Sequence, residues 1–159
     1  LLLAEGETIE KAKLSRAIKL KTIGYLGNAK KLDLPACTKM GIVVFDDIKN
    51  NPRNANFIPK RMIAFMNTGT TYMSQNFPNL QLPKIEKSHR LIHIHKNIPG
   101  IMAQINTIFA KHQINIVGQF LMTNSSIGYA ITDIDTAYDK DLFKSLKKID
   151  QTIKFRVLY

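Results

Sequence analysis

Residues 90–100 read Arg90-Leu91-Ile92-His93-Ile94-His95-Lys96-Asn97-Ile98-Pro99-Gly100, and the rest of the chain is organised around them. The first six alternate as a strand does, with Ile92 and Ile94 on one face and Leu91, His93 and His95 on the other. Asn97 to Gly100 predict a turn, and Pro99, which has no N–H to lose, suits the edge of a first helical turn. From Ile101 the apolar residues Ile101, Ile105, Ile108 and Phe109 recur at helical spacing as far as Lys111 and His112. Ile114 to Thr123 is dense in β-branched and aromatic residues and predicts a strand. Asn124-Ser125-Ser126 predicts a turn, with a second strand over Ile127 to Ile134. Asp139 to Ile149 sets Leu142, Phe143, Leu146 and Ile149 on one helical stripe, and Ile153 to Leu158 predicts a closing strand. The order is β-α-β-β-α-β, the split βαβ arrangement of ferredoxin-like folds.

Upstream the pattern changes. Leu1-Leu2-Leu3-Ala4-Glu5-Gly6 predicts a buried strand ending in a turn, and Glu7 to Ala17 a helix. Leu20 to Gly24 predicts a short strand, Gly27-Asn28 a turn, and Leu32 to Met40 a helix with Pro35 in its first turn. Ile42-Val43-Val44-Phe45 is a continuous apolar run, the signature of a parallel strand buried on both faces. Strand, helix, glycine, strand is an α/β unit. Arg61 to Met66 predicts helix, ended by Asn67-Thr68-Gly69, and the charged, proline-flanked Lys84 to His89 predicts a domain boundary. The expected class is therefore α+β, with domains at 1–83 and 88–159.

Bulk properties narrow the function. The formal net charge of +11 invites a nucleic-acid partner, but the basic residues are scattered. Residues 90–159 hold 9 basic and 5 acidic side chains, and residues 1–89 hold 14 and 7. No stripe interleaves them with aromatics, so the charge reads as a solvated surface, and a basic nucleic-acid-binding protein is only an alternative. A single cysteine, Cys37, excludes an internal disulfide framework and points to a reduced, cytoplasmic setting. No run of about 18 apolar residues exists, so no membrane span is expected. Leu1-Leu2-Leu3 is too short for a signal-peptide core.

The β-α-β-β-α-β order, with Pro99-Gly100 after the first strand and Asn115 just beyond the first helix, resembles an ACT domain, a small-molecule sensing module. His93-Ile94-His95-Lys96-Asn97-Ile98-Pro99-Gly100, Ile108-Phe109-Ala110, Ile114-Asn115-Ile116, Gly128-Tyr129 and Arg156-Val157-Leu158-Tyr159 are similar to the C-terminal regulatory domain of bacterial D-3-phosphoglycerate dehydrogenases. Upstream, Leu32-Asp33, Lys39-Met40-Gly41-Ile42, Val44-Phe45-Asp46 and Asn51-Pro52-Arg53 resemble the flavodoxin-like substrate-binding domain of the 2-hydroxyacid dehydrogenases. Gly69-Thr70-Thr71 and Asn76-Phe77-Pro78 resemble the segment joining that family's catalytic half to its regulatory domain. The family's Ser-Val-Ala-Glu is replaced by Asn54-Ala55-Asn56-Phe57. Residues 1–83 thus look like a reduced substrate-binding domain, internally shortened near residue 57, where the nucleotide-binding domain of the family would stand.

That absence shapes the chemistry. NAD binding in this family requires a Gly-x-Gly-x-x-Gly turn at a helix start, and Gly24-Tyr25-Leu26-Gly27 lacks the pattern. The family's catalytic His and its carboxylate-binding Arg fall in the missing region, so no catalytic or cofactor-binding residue is assigned and hydride transfer by this chain alone is not expected. Descent from an NAD-dependent D-3-phosphoglycerate dehydrogenase stands as the alternative description. His93 and His95 point the same way but lack further ligands at metal spacing, so no metal is expected. Cys37 reads as a small buried residue, and Asp133 and Asp135 as solvated carboxylates at a strand end. The resemblance implies a site for L-serine, or a similar small amino acid, between two subunits: His95 and Asn97 from one chain, Asn115 and Ile116 from the other. A zwitterion needs donors for its carboxylate and acceptors for its ammonium, which Asn, His and the free N–H groups near Gly100 and Ile101 supply. Unpaired sheet edges make a homodimer the expected assembly.

Overall fold

The computed structural model describes residues 1–47, 56–83, 86–136 and 140–158. Asn51-Pro52-Arg53, Asn54-Ala55, Lys84, the start of the last helix at Asp139 and Tyr159 lie outside the described residues. The chain divides into two compact units, Leu1–Gln81 and Leu82–Tyr159.

In the first unit three parallel strands, β1 (Leu2–Leu3), β2 (Thr22–Tyr25) and β3 (Val43–Asp46), lie side by side in that order. Helix α1 (Lys11–Arg16) is shorter than the Glu7–Ala17 expectation. Gly6 stands at φ 89°, Glu10 is extended, and no side chain caps the helix start, so nothing holds residues 7–10 in a first turn. A 3-10 turn (Ala29–Lys31) precedes α2 (Leu34–Lys39), where Asp33 caps the N-terminus by accepting from the Ala36 N–H at 2.9 Å, with Pro35 in the first turn. Helix α3 (Phe57–Thr68) ends at Gly69 in the left-handed region. It packs so tightly that a Cβ on Gly24 would overlap Ile58 and Met62. Leu3, Leu14, Ile23, Tyr25, Ile42 and Val44 form the core, and Cys37 is buried with them. Burial, then the nearby Asp33 carboxylate, pushes the Cys37 thiol up to about 11, which keeps it protonated. The outer edge of β3 is closed by the segment after α3. The Asn76 amide accepts from Val44 N at 2.9 Å and donates to Ile42 O at 2.9 Å, while Gln75 N donates to Val44 O at 2.8 Å. Asn76 thus does for the edge what a further strand would do.

The second unit runs β4 (His89–Lys96), α4 (Ile101–Lys111), β5 (Ile116–Thr123), β6 (Ile127–Ile134), α5 (Lys140–Lys147) and β7 (Thr152–Val157). Its four strands form one antiparallel sheet in the order β5-β6-β4-β7. This is the expected ferredoxin-like topology. Ile101, Ile105 and Phe109 of α4 and Leu142 and Leu146 of α5 bury against Leu91 and Ile134 of the sheet. Each such side chain contributes about 1.5–3 kcal/mol by leaving water. The Leu91, His93, His95 face of β4 is therefore the face that the helices cover.

Two features of the sheet were not expected. Asp133 is fully buried: its two oxygens accept from Nε and Nη2 of Arg90, both at 2.7 Å. The expectation of a solvated carboxylate fails for Asp133 because antiparallel register sets Arg90 directly opposite it on the same face. Asp135, beyond the strand end, is exposed. The second feature is an irregularity in the β4–β7 ladder. Ile94 pairs with Lys154 but His95 pairs with Thr152, so Ile153 is the extra residue of a bulge. A bulge reverses the facing of what precedes it, and here it turns Thr152 onto the helix side beside the two histidines.

Candidate functional site

At the C-terminal end of β4, a groove of about 570 Å³ is lined by His95, Asn97, Gly100, Ile101, Ala103 and Leu121, among others. Its floor is the sheet. His95 lies opposite Gly128 of β6, and a Cβ on Gly128 would overlap His95 Nε2. The imidazole therefore lies across the bare glycine backbone, Nε2 nearest the glycine, and shares the groove with Leu121 of β5. A glycine inside a strand is the sequence signal for such a close approach.

Its rim is the start of α4. Gly100 caps that helix at φ 86° with no side-chain cap, so the N–H groups of Ile101, Met102 and Ala103 have no intrahelical acceptor. They face the groove with the positive end of the helix dipole, an environment suited to a carboxylate. Asn97 stands at the turn, its N–H donating to Ser126 O at 3.1 Å and its Nδ2 to Asn124 O at 2.7 Å. Asn97 thus donates to the β5–β6 hairpin through both its backbone N–H and its side-chain amide, and among the described residues nothing donates to Asn97 Oδ1.

Behind His95 the polar groups are chained. His95 Nδ1 lies 3.3 Å from His93 Nδ1, His93 Nε2 lies 2.9 Å from Thr152 Oγ1, and Thr152 Oγ1 donates to Ile149 O at 2.7 Å. His93 also stacks obliquely against Phe155, with ring centroids 6.2 Å apart. Burial, with the His95 ring beside it, lowers the His93 pKa from 6.5 to about 4. Burial lowers that of His95 too. Both rings are neutral at pH 7.

Of the four residues expected at the site, His95 and Asn97 meet in this groove and Asn115 and Ile116 do not. Asn115 Nδ2 donates to Asp135 Oδ2 at 2.8 Å, which helps hold the Asp135 carboxyl below its usual range. Ile116 pairs with Ile134, whereas His95 pairs with Gly128. Six residues of β6 separate the two levels, about 20 Å. The edge strand β5 between them is exposed along most of its length, including Val117, Phe120, Leu121 and Met122. Among the described residues no group of three His, Cys, Asp or Glu side chains could hold a metal ion, and no helix is long and apolar enough to cross a membrane. Gly128, quoted above only within the resemblance, and Thr152 also belong to the site. Gly128 had a signal, but Thr152 had none, because its facing depends on the bulge.

Comparison with known proteins agrees with this architecture. Residues 91–154 match the AHAS small subunit-like ACT domain family. The D-3-phosphoglycerate dehydrogenase of Haemophilus influenzae is 42% identical over 99 residues, 62% of this chain and 24% of that protein. The D-3-phosphoglycerate dehydrogenase of Escherichia coli K12 is 37% identical over 101 residues, again 62% of this chain and 24% of the other. The chain thus spans about a quarter of the length of these relatives. Among solved structures, the ACT domain from the GTP pyrophosphokinase of Chlorobium tepidum matches 45% of this chain and 96% of its own, at 19% identity and a TM-score of 0.39. Residues 91–154 are an ACT domain, homologous to that of D-3-phosphoglycerate dehydrogenase.

Proposed function

We propose that this chain is a regulatory module that senses a small amino acid, L-serine first among candidates, and has no catalytic activity of its own. The observation that carries the reading is the groove at the end of β4. It brings unpaired helix N–H groups, a neutral buried imidazole and a free amide oxygen around one space. Those groups match the carboxylate and ammonium of a zwitterion. Asn97 Oδ1 and the His95 ring are acceptors for the ammonium, and Ile101 to Ala103 supply donors for the carboxylate. Residues 1–83 are read as a reduced substrate-binding domain without a nucleotide-binding turn, and a reduced cytoplasm as the setting.

The proposed assembly is a homodimer joined through β5. Two β5 strands paired antiparallel about an axis between Gln119 and Phe120 would set Ile116 opposite the partner's Thr123. Asn115 would then fall opposite the partner's Asn124. Asn124 O already accepts from Asn97, so the same pairing delivers Asn115 of one copy to the Asn97 of the other. The exposed apolar residues of β5 would be covered in the same step. Isothermal titration calorimetry of the purified chain with L-serine, glycine and L-alanine tests this reading. Saturable serine binding, weakened in Asn97→Ala and in Asn115→Ala, is expected; a flat trace on a folded dimer would overturn the serine assignment.

A further inference from the structure

The chained polar groups behind the groove determine where the proton of His95 sits. Thr152 has one hydroxyl hydrogen, and it is committed to Ile149 O at 2.7 Å. Its oxygen can then only accept from His93, so His93 carries its proton on Nε2. His93 Nδ1 is left with a lone pair, and the 3.3 Å contact to His95 Nδ1 requires a proton on the latter. Two lone pairs facing each other at that distance would leave both rings short of a donor in a buried site. Among the described residues no charged side chain bonds to either ring, and none bonds to His95 Nε2.

We infer that Thr152 and His93 are positioning residues that hold His95 in its Nδ1–H tautomer, so that Nε2 presents a lone pair to the groove and accepts from a ligand ammonium or hydroxyl. A neutral imidazole fixed this way disfavours a carboxylate at that point, because two acceptors would meet. The groove is thereby divided into an acceptor side at His95 and a donor side at the start of α4, which orients an amino acid in one direction. The Ile153 bulge is the backbone device behind this, since in regular register Thr152 would face away from His93. The tautomer stands on the hydrogen-bond chain alone, and its consequence for the ligand rests on the sensing reading above.

The test is long-range proton–nitrogen NMR of the histidine rings in the full chain at pH 7, with serine affinity measured in parallel. In the wild-type protein His95 is expected as Nδ1–H, the less common form of a free imidazole side chain. Thr152→Val should release His93, mix the His95 tautomers and weaken serine by about fivefold. Thr152→Ser should restore both. A wild-type His95 protonated on Nε2, or an unchanged His95 spectrum in folded Thr152→Val, would overturn the inference. The Nδ1–H form without serine binding would support the tautomer chain and overturn the sensing reading instead.

Discussion

Lowering the pH from 7 to 5 is expected to destabilise the C-terminal unit by about 2 kcal/mol, mostly through His93. In the unfolded chain His93 takes up a proton near pH 6.5, but in the fold only near 4. Between those values the unfolded state binds more protons, so acid favours it. The stability contributed by the neutral ring is intact above about 6.5 and is lost as the pH falls toward 4. The ring is 4% exposed, so solvent screening discounts this little. The exposed carboxylates Asp135, Asp141 and Asp150 have pKa values lowered from 3.8, so their losses fall in a more acidic window. Urea denaturation followed through the backbone NMR signals of Ile92 and Ile94 reports on this unit alone. His93→Gln, which cannot titrate, should lose most of the pH dependence and keep a remainder from His95, whose pKa burial lowers in the same direction. A variant with the full wild-type dependence, or a wild type that gains stability on acidification, would show that the buried neutral His93 is not the group responsible.

Other perturbations separate the parts of the account. Gly128→Ala should drive a methyl group into His95, costing about 1–3 kcal/mol in a denaturant titration and abolishing serine binding before it unfolds the domain. Asp133→Ala leaves the Arg90 guanidinium buried without its carboxylate, so a loss of about 3–5 kcal/mol is expected by urea denaturation. Phe120→Lys places a charge on the exposed face of β5, and sedimentation velocity should find a folded monomer that no longer binds serine.

How far the fold could be read in advance differs between the two units. In the second, period-2 and period-3.6 patterns follow one another with turn residues between them, and the expected strands and helices emerge within a residue or two. In the first, helix α1 came out shorter because residues 7–10 favour helix only by composition, with no cap to start it. The edge-closing role of Asn76 has no local pattern at all, since it depends on a strand 32 residues earlier. At the site, His95 and Asn97 stood next to a recognisable strand-turn-helix junction. Asp133 looked solvated because its partner lies 43 residues away in sequence and is set opposite only by strand register. Thr152 could not be seen, because a single bulged residue decides which face it joins.

In the proposed dimer the ligand site is shared between two copies, with His95 and Asn97 from one and Asn115 from the other. Mixing Asn97→Ala and Asn115→Ala chains distinguishes a shared site from one built within a single copy. Every heterodimer then carries one site with both residues intact and one with neither. Weakened serine binding is expected in either variant alone, and sites of wild-type affinity should return in the mixture, at about a quarter of the wild-type number if subunits exchange freely. A mixture that binds no better than its components, with subunit exchange demonstrated, would contradict the shared site.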